Sequence, residues 1–96
     1  MALRFEWERD KAASNLEKHG VSFDEASTVF DDPLARIFDD EDHSLDERRE
    51  IIVGHSILNH MLVVSFVERA EDVIRIISVR KATRRERSDY EENAEQ

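Results

Sequence analysis

No cysteine occurs in the chain, which excludes disulfides, thiolate catalysis and thiolate metal sites. Glycine appears twice and proline once, too few to build a phosphate-cradling glycine loop or a dinucleotide fingerprint. No apolar run is long enough to span a membrane, and the opening MALRFEWERD lacks the apolar stretch of a signal peptide. These absences suit a cytoplasmic protein with no membrane partner. None of the four histidines shows the spacing that suits zinc, and the Asp39 to Asp42 cluster lacks the alternating ligands and glycine of a calcium loop. Neither a metal nor another cofactor is expected.

Positive charge is also scarce. Fourteen Lys and Arg against 23 Asp and Glu give a net charge of -9, which argues at first against nucleic acid. The distribution softens that argument. Asp31 to Glu50 carries nine acids against three bases, whereas Arg69 to Arg87 carries seven bases against three acids. A basic segment can therefore form an electrostatic site inside an acidic protein.

Ninety-six residues, 40% of them hydrophobic, imply one domain with one modest core, read here as residues 1–90 followed by a frayed acidic tail over 91–96. Leu3 to Trp7 reads as a short strand. Asp10 can cap a helix that ends at His19-Gly20, with the glycine in the left-handed position. Ser22-Phe23-Asp24-Glu25 is a capping box opening a second helix, which Asp32-Pro33 stops. Short apolar runs follow at Ala35 to Phe38, Arg48 to Leu58, Met61 to Arg69 and Val73 to Arg80, with Gly54 a candidate bulge. The last three have short connections and imply an antiparallel meander. Thr83-Arg84-Arg85-Glu86 is a second capping box, and its helix is expected to run through Tyr90. The fold class is α+β, an antiparallel sheet with two N-terminal helices and one C-terminal helix.

VIRIISVR, Val73 to Arg80, is the densest β-branched run and carries two arginines. Strict alternation places Val73, Arg75, Ile77 and Val79 on one face and Ile74, Ile76, Ser78 and Arg80 on the other. Apolar residues on both faces mark a strand covered on both sides, where arginine must pair, snorkel or line an anion site. Arg49, Arg69, Arg75 and Arg80 on adjacent strands, with Lys18, Lys81 and Tyr90 near them, suit phosphodiester chemistry, where guanidinium groups stabilise charge developing on phosphate. Arginine is a poor general base, so a proton would pass to His43 or Glu47, which sit between the acidic loop and a strand start. Arg84 and Arg85 occupy the first turn of the last helix, where the macrodipole disfavours cations, a placement that points to a ligand or partner. The alternative for all of these is structural ion pairing.

The opening FEWERDKAASNLEKHGVSFDEASTVFDDP, the middle HSLDERREIIVG and the closing ERAEDVIRIISVRKATRRERSDYEE together resemble the BrnT toxins of bacterial toxin-antitoxin pairs. The family pattern falls on Lys11, Asn15, Lys18, His19 and Gly20, then on His43, Ser44, Glu47, Arg49 and Gly54. It ends on Arg69, Arg75, Ser78, Arg80, Ala82, Glu86 and Tyr90. The resemblance implies a RelE-like ribonuclease fold, an RNA substrate and a BrnA-type antitoxin whose ribbon-helix-helix domain binds DNA, which the toxin itself does not touch. Under that reading the chain is a metal-independent endoribonuclease that arrests growth. Arg49, Arg75 and Arg80 hold the phosphate, Glu47 or His43 accepts the proton, and Tyr90 stacks or orients. Lys18, Arg69, Lys81, Arg84 and Arg85 contribute RNA contacts. IISVR stands where the family often has IISAR, a change of packing beside Arg80. The acidic balance keeps a second reading open: a degenerate toxin that binds a partner without catalysis.

Overall fold

The computed structural model describes residues 2–41 and 47–94. Strand β1 (Arg4–Glu6) leads into helix α1 (Arg9–His19), helix α2 (Phe23–Thr28) and a 3₁₀ turn (Val29–Asp31). Strands β2 (Arg36–Asp39), β3 (Arg49–His55), β4 (Met61–Ala70) and β5 (Val73–Lys81) follow, and helix α3 (Arg84–Ala94) closes the chain. The sheet order is β1-β5-β4-β3-β2, antiparallel except for the parallel β1–β5 pair. The meander over β3, β4 and β5 is as the sequence implied, and β4 is the central strand.

One face of the sheet carries the core. Ile52, Leu62, Val64, Phe66, Ile74, Ile76 and Val79 pack under Val21, Phe23, Ala26 and Val29 of the helical segment. Phe30 bridges Phe5 and Phe66 with ring centroids 5.2 and 5.0 Å away, and Trp7 meets Phe23 edge-on at 5.8 Å. Such aromatic pairs add to the area they bury.

Chain punctuation decides where these elements stop. Gly20 takes φ 71 and its N–H bonds the Leu16 carbonyl, ending α1 as expected. The start of α1 differs: Glu8 is the N-cap without a side-chain bond, and Asp10 lies inside the first turn, where its charge suits the helix dipole. The first capping box is only half formed. Ser22 Oγ accepts from the Glu25 amide at 3.0 Å, but the Glu25 carboxylate turns instead to Ser56 Oγ at 2.6 Å and His60 Nδ1 at 2.8 Å. Burial alone would raise the Glu25 pKa, yet those hydrogen bonds hold it below its ordinary value. The second box is complete, with Thr83 N–H on Glu86 Oε1 at 2.8 Å and Glu86 N–H on Thr83 Oγ1 at 3.1 Å. Helix α3 continues past Tyr90 to Ala94, further than the sequence suggested.

Gly54 is not a bulge. It pairs in register with Leu62, and the reason for glycine is close approach: a Cβ there would meet Ala35 Cβ at 2.8 Å and Asp32 Oδ2 at 2.9 Å. The irregularities lie on the β4–β5 ladder instead. Ser65 pairs with Ser78 and Phe66 with Ile76, so Ile77 is an extra residue, and a second shift falls between Glu68 and Ala70.

Candidate active site

The extra residue at Ile77 inverts the parity of β5 half-way along. Below it, Ile74 and Ile76 point into the core; above it, Val79 does. The expected split of the two arginines between faces is therefore wrong: Arg75, Ser78 and Arg80 all lie on the face away from α1 and α2. Strict alternation over eight residues could not reveal this, because a bulge leaves no mark in a run of Val, Ile and Ser.

Cross-strand pairing then arranges the open face in three rows. Arg36, Val53, Val63 and Arg80 form the first; Phe38, Ile51, Ser65 and Ser78 form the second. Arg49, Val67, Arg75 and Glu6 form the third. Arginines thus mark both ends of the face, with two serine hydroxyls between them. A cavity of about 220 Å³ opens over the middle, lined among others by Ser65, Ser78, Arg80, Asp40 and His19.

Arg80 and Arg75 on this face each come with a carboxylate. Arg80 binds Glu86 through two bonds of 2.7 and 2.9 Å, and Arg75 lies 3.5 Å from Glu6 and 3.9 Å from Glu8. The Arg80 hydrogen bonds, with help from Thr83, hold the Glu86 pKa at about 2. Arg69, the residue at the second ladder shift, meets Glu47 at 2.9 Å. Arg49 also interacts within the chain. These carboxylates fix the guanidinium groups in place and account for part of the acidic balance.

The remaining expected residues divide. Lys18 lines a groove of about 290 Å³ on α1 that runs through His19 and Ser78 into the open face. Lys81 pairs with Leu62 on the core face and acts on Glu25, so it is turned away from Arg80. Arg84 and Arg85 are exposed on the first turn of α3. Tyr90, expected to stack or orient, is buried: its hydroxyl donates to the Leu34 carbonyl at 2.7 Å and its ring meets His55 edge-on. Burial pushes its phenol pKa up. It anchors α3 over the first row. His43 lies outside the described residues.

Two residues of this site were read from the sequence only as parts of a pattern. Asn15 is buried and spans from α1 to the edge of β5 that β1 leaves uncovered. It donates to the Val79 carbonyl at 2.9 Å and the Val21 carbonyl at 3.1 Å, and accepts from the Val79 N–H at 3.0 Å. It behaves as a one-residue strand partner. His19, one turn on, is thereby placed at the rim of both cavities. A separate cleft of about 300 Å³, lined by Thr28, Asp31, Asp32, His55, Ser56 and Ile57, is acidic and holds no arginine.

No helix among the described residues is long and apolar enough to cross a membrane. A search of curated proteins found no match. Among solved structures, the Brucella abortus ribonuclease toxin BrnT superposes with a TM-score of 0.66 at 20% identity, covering 86% of this chain and all of that one. At that identity the likeness shows the fold, a five-stranded sheet with three helices. The model of a family described as ribonuclease toxin, BrnT, of type II toxin-antitoxin systems matches residues 7–86. This chain, arginine face and acidic balance included, therefore belongs to the BrnT family of ribonuclease toxins.

Proposed function

We propose that the chain cleaves RNA internally and without a metal ion, on the open face between Arg75 and Arg80. The ribose 2′-oxygen forms a bond to the adjoining phosphorus as the bond to the 5′-oxygen breaks. The 2′-hydroxyl proton passes to Glu47 or His43, solvent water protonates the leaving 5′-oxygen, and the products carry a 2′,3′-cyclic phosphate and a 5′-hydroxyl. Arg49, Arg75 and Arg80 stabilise the phosphate charge and Lys18 guides the strand, with Arg84 and Arg85 as outer contacts. In this reading the fold is RelE-like, the protein works in the cytoplasm, and a BrnA-like antitoxin silences it. The antitoxin covers the arginine face and carries the ribbon-helix-helix domain that binds DNA.

The observation that carries the reading is the bulge at Ile77, which sets Arg75, Ser78 and Arg80 on one surface with Arg49. The test is RNA cleavage by purified protein at low salt with chelator present, with fold checked by circular dichroism. Arg75→Ala should lower the rate about 100-fold, the loss typical of one transition-state donor, without unfolding the sheet. Parental rates from folded Arg75→Ala and Arg80→Ala proteins would sink the assignment. A second reading, a partner-binding module without catalysis, is favoured by one observation: Arg69, Arg75 and Arg80 are each matched by a carboxylate of the same chain. It gains if the parent leaves RNA intact.

A further inference from the structure

Strand β2 ends the sheet, and all four of its residues are exposed. The Asp40 N–H donates to the Arg49 carbonyl at 2.8 Å, which fixes the alternation of the ladder. Arg36 and Phe38 direct their backbone groups to β3, and Ile37 and Asp39 direct theirs away from the sheet. Ile37 and Phe38 remain 55% and 52% exposed, unusual for apolar side chains on neighbouring positions of one edge. Edge strands are normally blunted by charge, shortness, proline or a bulge; β2 is short and carries Arg36 and Asp39, but it has no lysine, proline or bulge.

Geometry narrows what can lie against such an edge. For two copies related by a two-fold axis, the outward groups of Ile37 and Asp39 must supply the hydrogen-bonded pairs, which leaves three central registers. Asp39 opposite Asp39 sets like charges together. Ile37 opposite Ile37 leaves Asp39 and Asp40 facing Ala35 and Leu34. The remaining register sets Ile37 opposite Asp39, which places Phe38 against Phe38 on the axis and Arg36 opposite Asp40 at both ends. Arg36, Phe38 and Asp40 share one face, so the charges and the rings meet together. Arg36 and Asp40 each also take part in an interaction within their own chain, to which the cross-copy pairs would add.

We propose that β2 is a self-complementary edge on which a second copy of this chain docks antiparallel, Phe38 on Phe38 and Arg36 on Asp40. The two sheets become one continuous sheet. Because the axis is perpendicular to it, the arginine faces of both copies lie side by side on one surface. This goes beyond the cleavage reading and does not depend on it.

The chain's lack of cysteine makes the register directly testable. Phe38→Cys sits at a non-hydrogen-bonded pair, where Cα atoms about 4.5 Å apart allow a disulfide. Under mild oxidation its covalent dimer should form at least about tenfold faster than that of Ile57→Cys, a collision control at the exposed hairpin tip. In analytical ultracentrifugation the parent should dimerise reversibly. Arg36→Asp and Asp40→Arg should each weaken the dimer at least about tenfold, and the double swap should restore it. A parent that stays monomeric at several hundred micromolar overturns the proposal. So does a dimer indifferent to both charge reversals, or Phe38→Cys crosslinking no faster than the control.

Discussion

Asn15 offers the sharpest quantitative test of how the helical layer is fixed to the sheet. Replacing it with alanine removes three hydrogen bonds at once and leaves the Val79 N–H, the Val79 carbonyl and the Val21 carbonyl without their partner. Each buried group stranded in this way costs about 1–3 kcal/mol, and water entering the vacated space offsets part of it. The expected loss is about 3 kcal/mol, against a total stability of about 5–10 kcal/mol for a domain of this length. That lowers the melting temperature by roughly 12–20 °C. Trp7, the single tryptophan, packs on Phe23 and reports unfolding directly in urea. Asn15→Asp sharpens the test. It keeps an acceptor for the Val79 N–H but sets a carboxylate against two carbonyls, so its folded pKa is raised. The variant should be least stable at neutral pH and recover as pH falls and the carboxyl regains a proton to donate. An Asn15→Ala protein within about 0.5 kcal/mol of the parent would refute this account of the layer junction.

Two further outcomes are expected. Gly54→Ala should destabilise by about 1–3 kcal/mol in the same urea assay, since its Cβ would press on Ala35 and on the Asp32 carboxylate that holds the His55 and Leu34 amides; an unchanged midpoint would show that the 29–35 segment gives way. Glu86, held at about 2 in the fold against its ordinary 4.5, contributes stability that is complete above pH 4.5 and lost as pH falls toward 2. The pair is more than a third exposed, so screening reduces the effect to about 1 kcal/mol, and Glu86→Gln should abolish that part of the acid slope in denaturation measured between pH 5 and 2.

Much of the architecture was legible in the residues, because punctuation and pattern agreed. Gly20, Ser22, Pro33 and Thr83 marked helix ends, and β-branched runs with short connections gave the meander. The site was less legible, for two physical reasons. A bulge depends on how two strands meet, and nothing within VIRIISVR distinguishes Ile77 from its neighbours. Side chains with several possible partners were the second difficulty. Glu25 suits a capping box and equally a Ser56–His60 pair, and only the approach of the β3–β4 hairpin decides between them. Tyr90 has the chemistry to stack on a base, yet the Leu34 carbonyl claims its hydroxyl. The family pattern carried Asn15 and His19 without a reason for either. The open edge of β5 beyond Arg75 supplies one.

The three-residue β1 has a consequence for how the molecule breathes. It pairs Arg4 with Val73 across most of the chain, the costliest contact to close, while β3, β4 and β5 join near neighbours. A strand so short and so remote in sequence is the last piece to lock and the first to open. It also carries Glu6, with Glu8 just beyond it, the two carboxylates beside Arg75. The guard on that arginine therefore hangs on the shortest strand of the sheet, and releasing it draws Phe5 away from Phe30 at the margin of the core.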